Sequence, residues 1–171
     1  MQGYVQVYTG DGKGKTTAAL GLTLRAVGAG LKVYILQFAK GMAYSELNSL
    51  ATFGEQVTVR QCGRDCFIHR EPKQEDMDLA RQGFEEAREA LFSGKYDLVI
   101  LDEANIATYY KLVTVDELLE LIEKKPEHVE LVITGRKADE KIVARADLVT
   151  EMREIKHYYQ QGVDARKGIE S

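Results

Sequence analysis

Tryptophan is absent from this chain of 171 residues, and proline and cysteine occur only twice each. Pro72 and Pro126 leave no proline-rich linker, and no low-complexity stretch or internal repeat is visible. Two cysteines exclude a disulfide framework. Cys62 and Cys66 would need two further soft ligands to close a zinc site, and His69 is the one candidate nearby. They read as loop thiols without a metal, a redox or ligand contact being the alternative. No apolar run approaches the roughly 20 residues of a bilayer crossing. Met1 runs almost at once into strand-like sequence, which speaks against a signal peptide and makes a cytoplasmic location the default expectation. A net charge of −4 and an isoelectric point near 5.5 indicate no general attraction to nucleic acid or to an acidic membrane surface. No Ser-His-Asp set and no Cys-His pair with an orienting acid stands out, so no protein nucleophile is indicated.

What is present suits one domain with a real core: 44% hydrophobic and 29% charged residues. The most informative stretch is Thr9-Gly10-Asp11-Gly12-Lys13-Gly14-Lys15-Thr16-Thr17. It follows the apolar run Tyr4–Tyr8 and opens into an Ala/Leu-rich segment, the strand–turn–helix context of a phosphate-binding loop. Glycines allow a tight turn whose N–H groups point at anionic oxygens, and the helix start adds partial positive charge. Lys15 is placed to reach terminal phosphates and the Thr16 hydroxyl to ligate Mg²⁺. Thr9 stands where the usual pattern has glycine, and Lys13 adds a second cation. The loop therefore has an altered shape, and ordinary hydrolysis is not the only chemistry to consider.

Apolar runs recur at Tyr4–Tyr8, Val33–Phe38, Val57–Gln61, Leu98–Leu101, Leu131–Thr134 and Leu148–Thr150. Helical patterns fall at Thr16–Ala29, Asp76–Phe92, Val115–Lys124 and Asp139–Arg145. Alternation of this kind predicts an α/β domain with a mainly parallel sheet, its Val/Ile/Leu strands buried on both faces. Ligands of such sheets sit beyond the carboxyl ends of the strands. There the sequence places the glycine-rich loop, Gln37–Gly41, Cys62–Arg70, Asp102–Asn105 and Gly135-Arg136.

Asp102 and Glu103 end an apolar strand and supply the hard oxygens that Mg²⁺ beside a triphosphate requires, helix capping being the alternative. Lys40 is a phosphate candidate or a solvated loop lysine. Arg136 suits bidentate phosphate contact or is a surface arginine. Phe67 and His69 sit in a loop where packing onto the domain is the simpler reading and an aromatic lid the sharper one. Tyr109-Tyr110 and Tyr158-Tyr159 read as core or dimer contacts. The tail Lys156–Gly168 has no strong periodicity and reads as a loop laid over the domain. From these residues alone the chain holds a Mg-nucleotide site with an open second substrate region, and a phosphate-loop ATPase or small-molecule kinase stays a live alternative.

Several segments together resemble the ATP:corrinoid adenosyltransferases of the CobA/CobO/BtuR type. They are Gly10–Ala19, Arg25–Gly28, Gln37–Gly41, Val99–Glu103, Val132–Arg136, Ala146–Met152, Ile155–His157 and Gly162–Glu170. The resemblance implies a three-layer RecA-like phosphate-loop NTPase fold in one domain over 1–171, with 153–171 as the overlying tail, and a homodimer. It implies transfer of the 5′-deoxyadenosyl group of ATP to a Co(I) corrinoid, cob(I)alamin or cob(I)yrinic acid a,c-diamide, with release of triphosphate. Cobalt is then the nucleophile, and an electron-donating reductase or flavoprotein is an implied partner. By match to the family's pattern, Gly10, Asp11, Gly12, Lys13, Gly14, Lys15, Thr16, Thr17, Lys40 and Arg136 bind the nucleotide. Thr16, Asp102 and Glu103 hold Mg²⁺ or Mn²⁺. Lys13 and Lys15 neutralise the leaving triphosphate. Phe67 occupies the place of an aromatic that helps expel the lower axial ligand of cobalt, and His69 replaces a second aromatic there, often Trp. Family members often carry an N-terminal extension over the site, whereas Tyr4 here already begins the first strand, so the expectation is a partner subunit's cover or a more open site.

If Phe67 expels that ligand, Phe67→Ala loses far more activity when assayed from Co(II) corrinoid than when chemically reduced Co(I) is supplied. Equal losses in the two assays would remove the role.

Overall fold

The computed structural model of the chain describes residues 1–38, 44–63 and 72–170. Among these residues the strands are β1 (Val5–Thr9), β2 (Val33–Phe38), β3 (Val57–Cys62), β4 (Leu98–Asp102), β5 (Glu130–Thr134) and β6 (Leu148–Glu151). They form one sheet in the order β3-β2-β4-β5-β1-β6, and every pairing is parallel. The α-helices among the described residues are α1 (Lys15–Gly28), α2 (Ser45–Ala51), α3 (Gln74–Phe92), α4 (Ala104–Tyr109), α5 (Val115–Lys124) and α6 (Glu140–Arg145).

The layers follow from the pleat. In β2, Val33 and Ile35 join one apolar cluster with Ala19 and Ala26 of α1 and Leu50 of α2. The alternate residues Tyr34, Leu36 and Phe38 join the other, with Ala80, Phe84 and Leu91 of α3, Leu118 of α5 and Ile142 of α6. Helices thus cover both faces, which is why β2 and β4 are buried at every residue and apolar at all but Gln37 and Asp102. β6 departs from that expectation. It is an edge strand, all four of its residues are exposed, and Leu148 and Val149 lie more than two-fifths accessible.

Local signals set the helix ends. α1 stops where Gly30 adopts φ 81°, its N–H donating to the Val27 carbonyl and the Leu31 N–H to that of Ala26. This is a Schellman closure, and it needs a residue at ease in the left-handed region. α3 starts two residues before the apolar pattern suggests, because the Asp76 carboxylate accepts the Lys73 backbone N–H at 2.9 Å. Thr114 and Glu117 form a reciprocal capping box for α5.

Cys62 corrects the reading of both cysteines as loop thiols. It ends β3, is buried, and is a free thiol with its Sγ 3.7 Å from the Gln37 carbonyl. Burial pushes its pKa up to about 12, so it is chemically quiet. α3 crosses it at Gly83, where an added Cβ would lie 2.6 Å from the sulfur. Cys66 lies outside the described residues. Gly83→Ala therefore overpacks this crossing by about 1–3 kcal/mol, more than the ~1 kcal/mol of helix propensity it gains. Urea unfolding should show the loss, because the added Cβ would also meet the Cys62 Cβ at 2.7 Å. A Gly83→Ala protein as stable as the parent would contradict the close crossing.

Candidate nucleotide site

The glycine-rich loop connects β1 to α1 and lies against the chain leaving β6. The Gly12 N–H donates to the Met152 carbonyl at 2.7 Å, and the Met152 N–H to the Thr9 carbonyl at 2.8 Å. Gly10 has φ 93°, and a Cβ there would stand 2.4 Å from the Met152 carbonyl oxygen. Both a left-handed backbone and a close approach require glycine at this position. Gly14, at φ 119°, turns the loop into α1. A cavity of about 930 Å³ opens beside it, within the range of small-molecule sites.

Lys15 is buried at the first residue of α1. Its Nζ donates to the carbonyls of Gly10 at 2.7 Å and Gly12 at 2.8 Å. The ammonium folds back onto its own loop and braces it. Burial lowers its pKa, and the Glu103 carboxylate opposes that effect.

A second knot lies behind the loop. Asp102 ends β4 and is 1% exposed. Its Oδ1 accepts the Thr16 hydroxyl at 2.9 Å and the Thr134 hydroxyl at 2.6 Å. The Thr134 Oγ1 in turn accepts the Glu103 backbone N–H at 3.0 Å. Glu103 takes the left-handed conformation, φ 60°, as the chain enters α4, and its side chain makes no cap to that helix. The capping alternative for the acid pair is thus not what Glu103 does. A non-glycine residue held at positive φ costs of order 1–3 kcal/mol and needs support from its surroundings; the bond to Thr134 is part of it.

Next to this, the Asn105 amide donates to the Gly135 carbonyl at 3.0 Å and fixes the turn that carries Arg136. Gly135 has φ 128° and packs on Asn105, its notional Cβ 3.1 Å from the Asn105 Cβ.

Of the residues expected at the site, Gly12, Lys13, Gly14, Lys15, Thr16, Thr17, Glu103 and Arg136 line the cavity. Gly10 supplies a carbonyl to Lys15, and Asp102 stands behind Thr16. Asp11 is exposed. Lys40 and Phe67, with His69, lie outside the described residues. Tyr44, Ser45, Glu46, Ser49 and Ile106 also line the cavity with no sequence signal to mark them, and Tyr110 joins them. They come from the start of α2 and from α4, short elements with no motif. Tyr110, read as a core or dimer contact, packs on the core and also faces the cavity. Tyr158 bonds Glu170, while Tyr109 and Tyr159 are exposed.

Thr16, Asp102 and Glu103 fit a divalent cation of the Mg²⁺ type. A hydroxyl and a carboxylate already lie in contact, a second acid lines the cavity, and all are hard oxygen donors. Among the described residues no group of three or more His, Cys, Asp or Glu is placed to cage a metal. Mg²⁺ commonly takes one or two protein ligands and completes its shell with water and phosphate oxygens.

A glycine-lysine loop between a buried first strand and its helix, beside an acid-ended strand, defines a phosphate-loop nucleotide-binding protein. The fold agrees. A RadB recombinase structure superposes with a TM-score of 0.55 at 17% identity, over 91% of this chain and 77% of that one. The particular branch is set by sequence: residues 1–171 match the family ATP:corrinoid adenosyltransferase BtuR/CobO/CobP, and the chain belongs to it. It is 35% identical over 170 residues to the corrinoid adenosyltransferase of Pseudomonas aeruginosa, covering 99% of this chain and 84% of that protein. The corrinoid adenosyltransferase of Escherichia coli K12 is likewise 35% identical, with 99% and 86% covered.

Thr134→Val strips one donor from the buried Asp102 and orphans the Glu103 N–H. It should lower stability by about 1–3 kcal/mol in urea unfolding and weaken nucleotide binding, while Thr134→Ser keeps both. A valine variant as stable and as tightly binding as the parent would contradict the knot.

Proposed function

We propose that the protein transfers the 5′-deoxyadenosyl group of ATP to the Co(I) of a corrinoid and releases intact triphosphate. The observation that carries this is the loop itself: a braced Lys15, the Thr16–Asp102 contact and Arg136 converge on one cavity, in a chain that matches the family from end to end. The electron pair of Co(I) attacks the ribose 5′ carbon. The cobalt–carbon bond forms, the carbon–oxygen bond breaks, and the triphosphate leaves with that bonding pair, cobalt ending formally as Co(III). No protein nucleophile is required. The chain's tasks are to align the 5′ carbon with cobalt and to stabilise charge on the leaving group.

Each residue has a part in this reading. Backbone amides of Gly10–Thr17 cradle the phosphates. Lys15 exchanges the Gly10 and Gly12 carbonyls for phosphate oxygens, and Arg136 meets the far end of the chain of phosphates. Thr16, Asp102 and Glu103 would hold Mg²⁺ or Mn²⁺, which supplies charge neutralisation at the triphosphate. Lys40 and Phe67 belong to stretches that leave the carboxyl ends of β2 and β3, the edge on which the cavity lies. There Lys40 is proposed for phosphate and Phe67 for expulsion of the lower cobalt ligand.

The chain is read as one domain whose residues 153–171 close over the loop. A homodimer is part of the proposal, supported by the exposed apolar edge strand β6. So are a reductase or flavoprotein that delivers Co(I) and a cytoplasmic setting.

Anaerobic incubation with ATP, Mg²⁺ and reduced corrinoid should give a cobalt–carbon bond by absorbance and free triphosphate in equal amount. Lys15→Ala should abolish both. ADP or inorganic phosphate as the product would instead identify a kinase or an ATPase.

A further inference from the structure

Lys13, the extra cation of the loop, is held by the last stretch of the chain. Its Nζ lies 2.9 Å from the Ile169 carbonyl, 3.0 Å from Glu170 Oε1 and 3.4 Å from the Tyr158 hydroxyl. An ammonium has three protons, so all its donors are spoken for. Glu170 is itself gripped. The Tyr158 hydroxyl donates to it, as do the Arg166 backbone N–H at 2.8 Å, Nε at 3.3 Å and a terminal guanidinium nitrogen at 3.2 Å. The Arg166 guanidinium also lies 5.0 Å above the Tyr158 ring. The Glu170 side chain is 15% exposed, well covered for a carboxylate near a chain end. Arg166 first, then Tyr158 and Lys13, hold its carboxyl well below the usual carboxylate range.

The cluster borders the cavity: Lys13, Gly168, Ile169 and Glu170 line it with Lys15, Thr16 and Arg136. A carboxylate on Lys13 therefore takes the electrostatic place of a phosphate oxygen. For Lys13 to meet a triphosphate it must give up an acceptor. An entering triphosphate would also repel Glu170 across the same wall. Both effects favour one exchange.

We propose that Glu170 is a positioning residue that parks Lys13 while the nucleotide is absent, and that a triphosphate takes Lys13 from it and so releases the C-terminal strap from the loop. This rests on the phosphate-binding reading of the loop given above. Because Gly168–Glu170 share the cavity with Tyr110 and His157, release of the strap enlarges the space beside the nucleotide. Nucleotide then binds before the second substrate.

The test uses the full chain with magnesium tripolyphosphate as probe, hydrogen exchange of residues 157–170 as one readout and calorimetric affinity as the other. Tripolyphosphate should speed exchange in the strap. Glu170→Ala should show that fast exchange without ligand and bind the probe about two- to fivefold more tightly, the span of a solvent-exposed ion pair. Tyr158→Phe should fall between. Glu127→Ala, at the opposite end of the sheet, makes the same change in net charge and should leave the affinity unchanged. Strap exchange that is unaltered or slowed on binding, or a Glu170→Ala protein that binds more weakly, would overturn the proposal and make the pair a permanent strut. Tripolyphosphate and MgATP that both fail to bind the parent protein would instead overturn the phosphate reading of the loop, and this proposal with it.

Discussion

The carboxylate of Asp102 ties the site together. It is buried at the end of β4, and a buried charge must be hydrogen-bonded to be tolerated. Its partners come from α1, through Thr16, and from β5, through Thr134. Thr134 then reaches the Glu103 N–H at the turn into α4. One group thereby registers the phosphate loop, the acid-ended strand and the strand that leads to Arg136. The parallel sheet makes this possible, because β1, β4 and β5 all deliver their carboxyl ends to the same edge.

Around that knot the two lysines and the Thr16 hydroxyl of the loop are held by protein partners. Lys15 is held by carbonyls of its own loop and Lys13 by the chain's last residues. Thr16 rests on Asp102. Each of these bonds is one that a triphosphate can replace with stronger, charge-assisted partners. The loop itself is tied to the sheet edge. Its backbone is pinned to the chain after β6 through Gly12 and Met152, and Gly10 is packed there with no room for a side chain. On the reading proposed above, a pinned cradle whose cations change partners suits a reaction in which the protein supplies no nucleophile. What it contributes is placement, and neutralisation of the leaving group.

Much of this was legible in the residues. β2 and α5 fall on the bounds read from the apolar pattern, Val33–Phe38 and Val115–Lys124, because a doubly covered strand and a strongly amphipathic helix each leave a clear period. The glycine-lysine stretch announced the phosphate loop, and the resemblance built on it led to the family the chain belongs to. α2 and α4 were not legible. Ser45–Ala51 buries only Leu50, which is too little for a period, and Ala104–Tyr109 begins at Glu103 in a left-handed turn that no residue type there announces. Those two helices bring Tyr44, Glu46, Ile106 and Tyr110 to the cavity. The Thr134 bond to Asp102 and the Glu170 bond to Lys13 join residues far apart in the chain, and residues at such separations leave no local signal. β6 misled in the other direction. Its Leu-Val pair reads as core, yet an edge position leaves it exposed.

If the loop grips an intact triphosphate by exchange of partners, a crystal structure of the protein with Mg²⁺ and a non-reactive ATP analogue will show it. The triphosphate should be seated in the loop, with Lys15 turned from the Gly10 and Gly12 carbonyls to phosphate oxygens and the Thr16 hydroxyl turned away from Asp102. An analogue bound elsewhere, with Lys15 still closed on its own loop, would contradict it.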